Sequence, residues 1–215
     1  HLIMKETMAI SLTIFDSIYD NKTNKRMDYD SFSSFVSILN RLASQDKYKK
    51  KTDAPLISPA VYNDDSTRSN DNVTFWGGWA AIDVDDFIGD IEDIEKKYSQ
   101  YKYVCYSTAS SKLEAPKFRL VFPLTDFVNK DDIKHFWFAL NKEIGDIADA
   151  QTKDLSRMYY VPSKYEGAFN FIFQHDGAVI NPMELMAKHE YVKPNQTMFD
   201  KFLQCLAFLS LLLLS

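Results

Sequence analysis

Apolar positions along the chain fall into blocks of different period, and each period predicts an element. Residues 28–43 (DYDSFSSFVSILNRLA) carry Phe32, Phe35, Val36, Leu39 and Leu42 at helical spacing behind Asp30 or Ser31 as a cap, which predicts one amphipathic helix. From Ser44 to Asn72 polar residues take over, with lysines at 47, 49, 50 and 51 and prolines at 55 and 59, which predicts a long solvated excursion. Val73–Val84 (VTFWGGWAAIDV) is almost continuously apolar and reads as a central strand buried on both faces. It runs out into acid. Ile88–Gln100 reads as a helix, Tyr103–Thr108 as a short strand, and Lys117–Leu124 as a strand in which Phe118, Leu120 and Phe122 alternate with other residues. Over Asp131–Gly145 the apolar residues Ile133, Phe136, Trp137, Leu140 and Ile144 form a helical stripe, with Asn129 as its cap and His135 off the stripe and exposed. Met158–Val161 and Phe169–Phe173 read as a strand pair, and a short helix follows Pro182. The order α, β, α, β, β, α, β, β, α predicts an α+β fold: a mixed sheet with helices packed on it.

Length changes the picture only a little. At 215 residues and 46% apolar, the chain fits one compact domain over 1–195, with an amino-terminal subregion 1–72 and a core 73–195. His1 in first place reads as a fragment boundary. The apolar tail over 196–215 closes on Phe202–Ser215 (FLQCLAFLSLLLLS), shorter than the ~20 residues a membrane helix needs, so it reads as a packing helix or a truncated end and implies no membrane partner. Cys105 and Cys205 are the only cysteines, which excludes a disulfide framework and favours a cytoplasmic setting. A net charge of −5 repels polyanions on average, so any nucleic-acid role must rest on a local basic surface or on bound cations.

Three stretches carry candidate chemistry. Asp83 and Asp85 stand at i and i+2 where the apolar strand ends, so alternation puts both carboxylates on one face with Cα atoms roughly 6.6 Å apart. Two unit charges at that distance repel by about 2.5 kcal/mol at an effective dielectric of ~20, and oxygen-only ligation of Mg²⁺ or Mn²⁺ relieves the repulsion. In the second stretch, YSTASSKLEAPKFRLVFPL over 106–124, the hydroxyls of Ser107, Thr108, Ser110 and Ser111 precede Lys112, Lys117 and Arg119. Lys117 and Arg119 share a strand face; Arg grips phosphate with a planar fork, Lys as a point charge. In the third, DAQTKDLSRMYYVP over 149–162, Asp149 or Asp154 can complete a three-carboxylate metal site, and Arg157 leads into an apolar strand.

In these three stretches the sequence resembles the archaeo-eukaryotic primase superfamily, the primase–polymerase type of phage and plasmid replication proteins. The acidic strand end is matched by Ala81–Asp85 (AIDVD), the small-residue loop leading into a basic strand by Ser107–Leu124, and the acid, base, strand and proline by Asp149, Arg157 and Pro162. The second motif holds no His here, so the role falls to Lys117 or Arg119. The resemblance covers roughly residues 73–175 and implies an RRM-like catalytic sheet joined to an amino-terminal α/β unit. It also implies template-directed nucleotidyl transfer with two divalent ions, Mg²⁺ or Mn²⁺, on Asp83, Asp85 and Asp149 or Asp154. Lys117, Arg119 and Arg157 would neutralise the triphosphate, and Ser107 and Ser110 would hydrogen-bond it. Nucleoside triphosphates, a single-stranded DNA template and a replicative helicase are the implied partners, with the Lys47–Lys51 loop and Tyr160 as template contacts.

Other classes fit parts of the same pattern. A metal-dependent glycosyltransferase also places Asp-x-Asp at a strand end, a non-catalytic replication-initiation module binds single strands through such a sheet, and a metal nuclease uses acid clusters.

Overall fold

The computed structural model describes residues 9–145, 154–192, 198 and 200–206. Its named elements are β1 (Ile10–Phe15), β2 (Arg26–Tyr29), α1 (Phe32–Ala43), β3 (Leu56–Ser58), β4 (Ala60–Tyr62), β5 (Val73–Trp76), β6 (Trp79–Val84), α2 (Ile91–Lys97), β7 (Tyr103–Ser107), β8 (Phe118–Pro123), β9 (Val128–Asn129), α3 (Ile133–Ile144), β10 (Tyr159–Tyr160), β11 (Ile172–His175) and α4 (Pro182–Lys188). They form three sheets in the orders β10-β3-β1-β2, β11-β7-β8-β6 and β4-β5-β9. The fold is α+β. Pairs between named strands are antiparallel, and among the described residues parallel pairing is confined to isolated bridges such as Leu124 with Ile180.

The helices begin where local chemistry supplies a cap. Ser31 accepts from the Ser34 N–H at the start of α1, Asp90 and Asp93 form a reciprocal capping box on α2, and Asn181 accepts from two N–H groups of α4 with Pro182 at its first position. Asn129 does not cap α3; a single 3₁₀ turn over Lys130–Asp132 leads into it instead. His135 is half-buried rather than exposed: it bonds the His189 carbonyl at 2.8 Å and stacks on Tyr191.

The apolar run 73–84 is two strands, not one. A Cβ on Gly77 would lie 2.1 Å from the Ser11 carbonyl oxygen, and Gly78 has φ +82°, so the backbone turns sharply between β5 and β6. The Ser11 N–H bonds the Gly77 carbonyl at 2.9 Å and the Gly77 N–H bonds the Pro59 carbonyl at 2.8 Å. These contacts send β5 and β6 into different sheets. The solvated excursion expected over 44–72 contains β3 and β4, both fully buried.

The β11-β7-β8-β6 sheet has two apolar faces. Ala80, Ile82, Cys105, Leu120 and Phe122 face a cluster shared with Ile94 of α2 and Phe136 and Leu140 of α3. Trp79, Ala81, Val104 and Val121 face the other way, against Ile10, Leu12 and Ile57 of the first sheet and Phe35 and Leu39 of α1. Burying each of these large side chains contributes roughly 1.5–3 kcal/mol, so both faces are firmly held. At one end this second face carries charge instead of carbon.

Candidate functional site

Strand register builds the site. Asp83 of β6 pairs across to Arg119 of β8, which pairs across to Tyr106 of β7, giving one row of side chains over three strands on the same face. Two residues on from Asp83 and Tyr106, and two before Arg119 on the antiparallel β8, alternation brings Asp85, Thr108 and Lys117 to the same side. The ladder extends that far on one side, since the Thr108 N–H bonds the Lys117 carbonyl at 2.9 Å.

Arg119 is the centre of the first row and only 7% exposed. Its Nε donates to Asp83 Oδ1 at 2.6 Å, and Nη1 donates to the Tyr106 hydroxyl at 3.1 Å and the Tyr160 carbonyl at 2.8 Å. The guanidinium lies 5.4 Å from the Tyr106 ring centre and 4.8 Å from that of Tyr159. Burial works against its charge, but Asp83 and the Tyr106 hydroxyl outweigh that and hold the Arg119 pKa above its ordinary value. Burial also pushes the Tyr106 and Tyr159 hydroxyls up, so the cage stays neutral around a fixed cation. Nη2 makes no hydrogen bond among the described residues, and Arg119 lines an open cleft.

That cleft has a volume of about 310 Å³. Its floor is Asp83, Asp85, Lys117 and Arg119; its walls are Ser107–Ser110 on one side and Lys51, Tyr160, Val161 and Tyr165 on the other. The loop wall is a turn closed by the Ser111 N–H on the Thr108 carbonyl at 3.1 Å. Ser111 is fully buried and pins the turn, its hydroxyl accepting from the Lys117 N–H and its carbonyl from the Phe169 N–H. The N–H groups of Ala109 and Ser110 are left without hydrogen bonds among the described residues, as in backbone concavities that take anions.

The expected site residues therefore divide. Asp83, Asp85, Ser110, Lys117 and Arg119 come together in the cleft. Ser107 borders it, but its hydroxyl is committed to the Phe171 backbone, accepting at 2.8 Å and donating at 3.2 Å. Arg157 does not line the cleft; its guanidinium sits 3.8 Å from the ring centre of Trp137 on α3. Asp154 is exposed, accepts from the Ser156 N–H at 3.0 Å and does not line the cleft either. Asp149 lies outside the described residues. Tyr106, Tyr165 and Lys51 were not expected in the cleft wall. Tyr106 was legible from its spacing, two before Thr108 on a strand; Lys51 arrives only through tertiary folding.

Among the described residues no group of three or more His, Cys, Asp or Glu side chains is placed to hold a metal ion. Asp83 has one oxygen tied to Arg119, and Asp85 is exposed with no hydrogen bond or ion pair among the described residues. This donor pair fits one hydrated Mg²⁺ or Mn²⁺, which keeps waters and takes its other ligands from phosphate. The described residues bring no third acid for a second ion.

An α+β domain whose central sheet ends in paired carboxylates and cations beneath a hydroxyl-rich turn is a class suited to anionic ligands. The chain belongs to the VapE N-terminal domain family, whose match covers residues 61–197. Membership is in keeping with the archaeo-eukaryotic primase-like affiliation read from the motif order. Among solved structures, the primase–polymerase AEP domain of cyanophage S-2L is similar over 84% of this chain and 88% of that one, with 12% identity and a TM-score of 0.41. No curated protein matches the chain. Among the described residues no helix is long and apolar enough to cross a membrane.

Proposed function

We propose that the cleft binds the triphosphate of a nucleotide and that the domain transfers nucleotidyl groups to a growing strand on a single-stranded DNA template. The observation that carries this reading is the two-row array: Asp83 and Asp85 meet Lys117 and Arg119 on one face, below a turn with spare N–H groups. Acid alone would suit a metal, and base alone a phosphate. Both together suit a metal-bound polyphosphate.

Each side chain has a share in that task. Lys117 in the floor and Lys51 in the wall offset phosphate charge, and the Arg119 guanidinium adds a fixed positive charge to the same floor. Ser110 and the Ala109 and Ser110 N–H groups donate to phosphate oxygens. Tyr160, half-buried in the wall, offers a ring face to a base. Asp83 and Asp85 would hold Mg²⁺ or Mn²⁺, which when bound supplies Lewis-acid stabilisation of the charge on the reacting phosphate and leaving pyrophosphate. Asp149 stands as the proposed ligand for a second ion. Because the cation cage fixes Asp83, the site is organised before any ligand arrives.

The test is primer extension on a single-stranded template with Mn²⁺ and labelled dNTPs or NTPs. Wild type is expected to incorporate label, and Asp85→Asn to lose at least ~100-fold of the rate, as removal of a single charge-stabilising group does. Millimolar Mn²⁺ should raise the wild-type melting temperature and leave that of Asp85→Asn unmoved. One observation favours a binding-only module instead: Asp83 already has its cationic partner in Arg119. No incorporation, with nucleotide affinity unchanged in EDTA, would establish that second reading and overturn the first.

A further inference from the structure

The lysine run expected in a solvated loop is anchored beside the cleft. The Lys164 N–H bonds the Gln45 carbonyl at 3.1 Å and the Glu166 N–H bonds the Lys49 carbonyl at 2.9 Å. Ser163, buried beneath the run, accepts from the Tyr48 N–H at 3.3 Å, with its hydroxyl 3.0 Å from the Tyr48 carbonyl and 3.2 Å from that of Gln45. These bonds lay residues 45–49 along residues 163–166, which follow closely on Tyr160 and Val161 in the cleft wall. Lys51, at the end of the run, lines the cleft itself.

The side chains of Lys47, Lys49, Lys50 and Lys164 are exposed, and none of them is in an ion pair among the described residues. Asp46, Asp53 and Glu166 lie in the same segments without engaging them. A chain of net charge −5 thus gathers an excess of lysines over acids, with no ion pairs among them, on one strip leading into an anion-suited cleft. We propose that this strip, Lys47, Lys49, Lys50 and Lys164, is the track on which a single-stranded nucleic acid backbone docks, with Lys51 passing it to the cleft. The inference rests on the cleft being a nucleotide site. Lysines suit this role because a compact point charge on a flexible stem follows a backbone of no fixed geometry. A template read by base pairing beside a nucleotide site must arrive there with its bases unpaired, so the polymer on the strip is a single strand.

The measurement is fluorescence anisotropy of a labelled oligothymidylate with the full chain, comparing wild type with the triple variant Lys47→Ala, Lys49→Ala, Lys50→Ala. The variant spares Lys51 and every buried contact, and an unchanged melting temperature confirms its fold. Affinity is expected to fall at least tenfold at about 0.1 M salt, and the slope of log K against log salt to fall by about 2, some 0.7 for each phosphate no longer neutralised by a lysine. Binding of a fluorescent ATP analogue should be the same in both proteins. Equal oligonucleotide affinity and slope in the two, or no wild-type binding, overturns the track. So does equal competition by a polyglutamate peptide of the same charge, which would make the strip a site for acidic protein segments. If wild type binds the oligonucleotide through these lysines but not the ATP analogue, the cleft reading fails and the track stands.

Discussion

Three acceptors and two aromatic faces lie within reach of Arg119, and only a planar guanidinium satisfies them together. A lysine there has no fork to bridge Asp83 and Tyr160, so at least one charge-assisted hydrogen bond is lost and the Tyr160 carbonyl keeps only its bond from the Tyr106 hydroxyl at 3.1 Å. Arg119→Lys should therefore cost about 2 kcal/mol in urea unfolding. Asp83 is 43% exposed, and Asn keeps an oxygen for the Arg119 Nε, so Asp83→Asn should cost less, below about 1 kcal/mol. Equal costs, or the reverse order, would show that the cage does not set the geometry of the row. Sequence placed Lys117 and Arg119 on one strand face, and Asp83 and Asp85 on another strand's face. Nothing in the spacing said that the two strands are neighbours in register, so the ion pair of Asp83 with Arg119 was not legible.

Elements show the same boundary between what a pattern reveals and what it conceals. Helices α1 and α3 span three turns each, long enough for a stripe to stand out, and both lie where the apolar period puts them. Strands β3 and β4 are three residues long and carry no period at all, whereas β10 lies inside the strand expected over 158–161 but pairs with β3, and β11 with β7, so the two do not form the expected strand pair. The division of 73–84 turns on Gly77, whose close approach is to Ser11, distant in sequence, and on the positive φ of Gly78. Gly77→Ala forces a Cβ into the Ser11 carbonyl and should destabilise by at least about 2 kcal/mol in thermal or urea unfolding, the scale of core overpacking. A near-neutral result would mean that β1 can move away from β6. Between α3 and α4, Glu143 accepts from Tyr101 at 2.5 Å, Lys188 at 2.9 Å and His189 at 2.6 Å. Burial alone would raise its pKa, but the bonds from His189, Tyr101 and Lys188 hold it down at about 2. A carboxylate held below its unfolded value of 4.5 adds stability above that pH, which is lost as pH falls towards 2. Glu143→Gln should then lower stability at neutral pH and remove part of the acid dependence between about 4.5 and 2, with faster hydrogen exchange in α4. An unchanged acid limb would remove Glu143 from that role.

At the scale of the whole molecule, the amino-terminal subregion and the core share their hydrophobic interior. One cluster joins Ile10, Leu12, Phe32, Phe35 and Leu39 to Trp79, Val104, Tyr106 and Val121. The first sheet is itself completed by β10, whose Tyr159 pairs with Ile57 of β3 and also forms one face of the Arg119 cage. Cleft geometry thus depends on strands from both parts of the chain, and the boundary at residue 72 divides the sequence without dividing the core. Unfolding should be a single transition, with circular dichroism and tryptophan fluorescence midpoints coinciding. Leu12, 1% exposed and remote from the cleft in sequence, provides the probe. Leu12→Ala should move both midpoints together by the ~2–5 kcal/mol of a large-to-small core change and leave nucleotide affinity of the folded fraction unchanged. Two separated transitions, with only the earlier one shifted, would mean that the sheet carrying Asp83 and Arg119 stands without its amino-terminal partner. The cage around Arg119 would then have to be held by Asp83 of β6 and Tyr106 of β7, without Tyr159 and Tyr160 of β10.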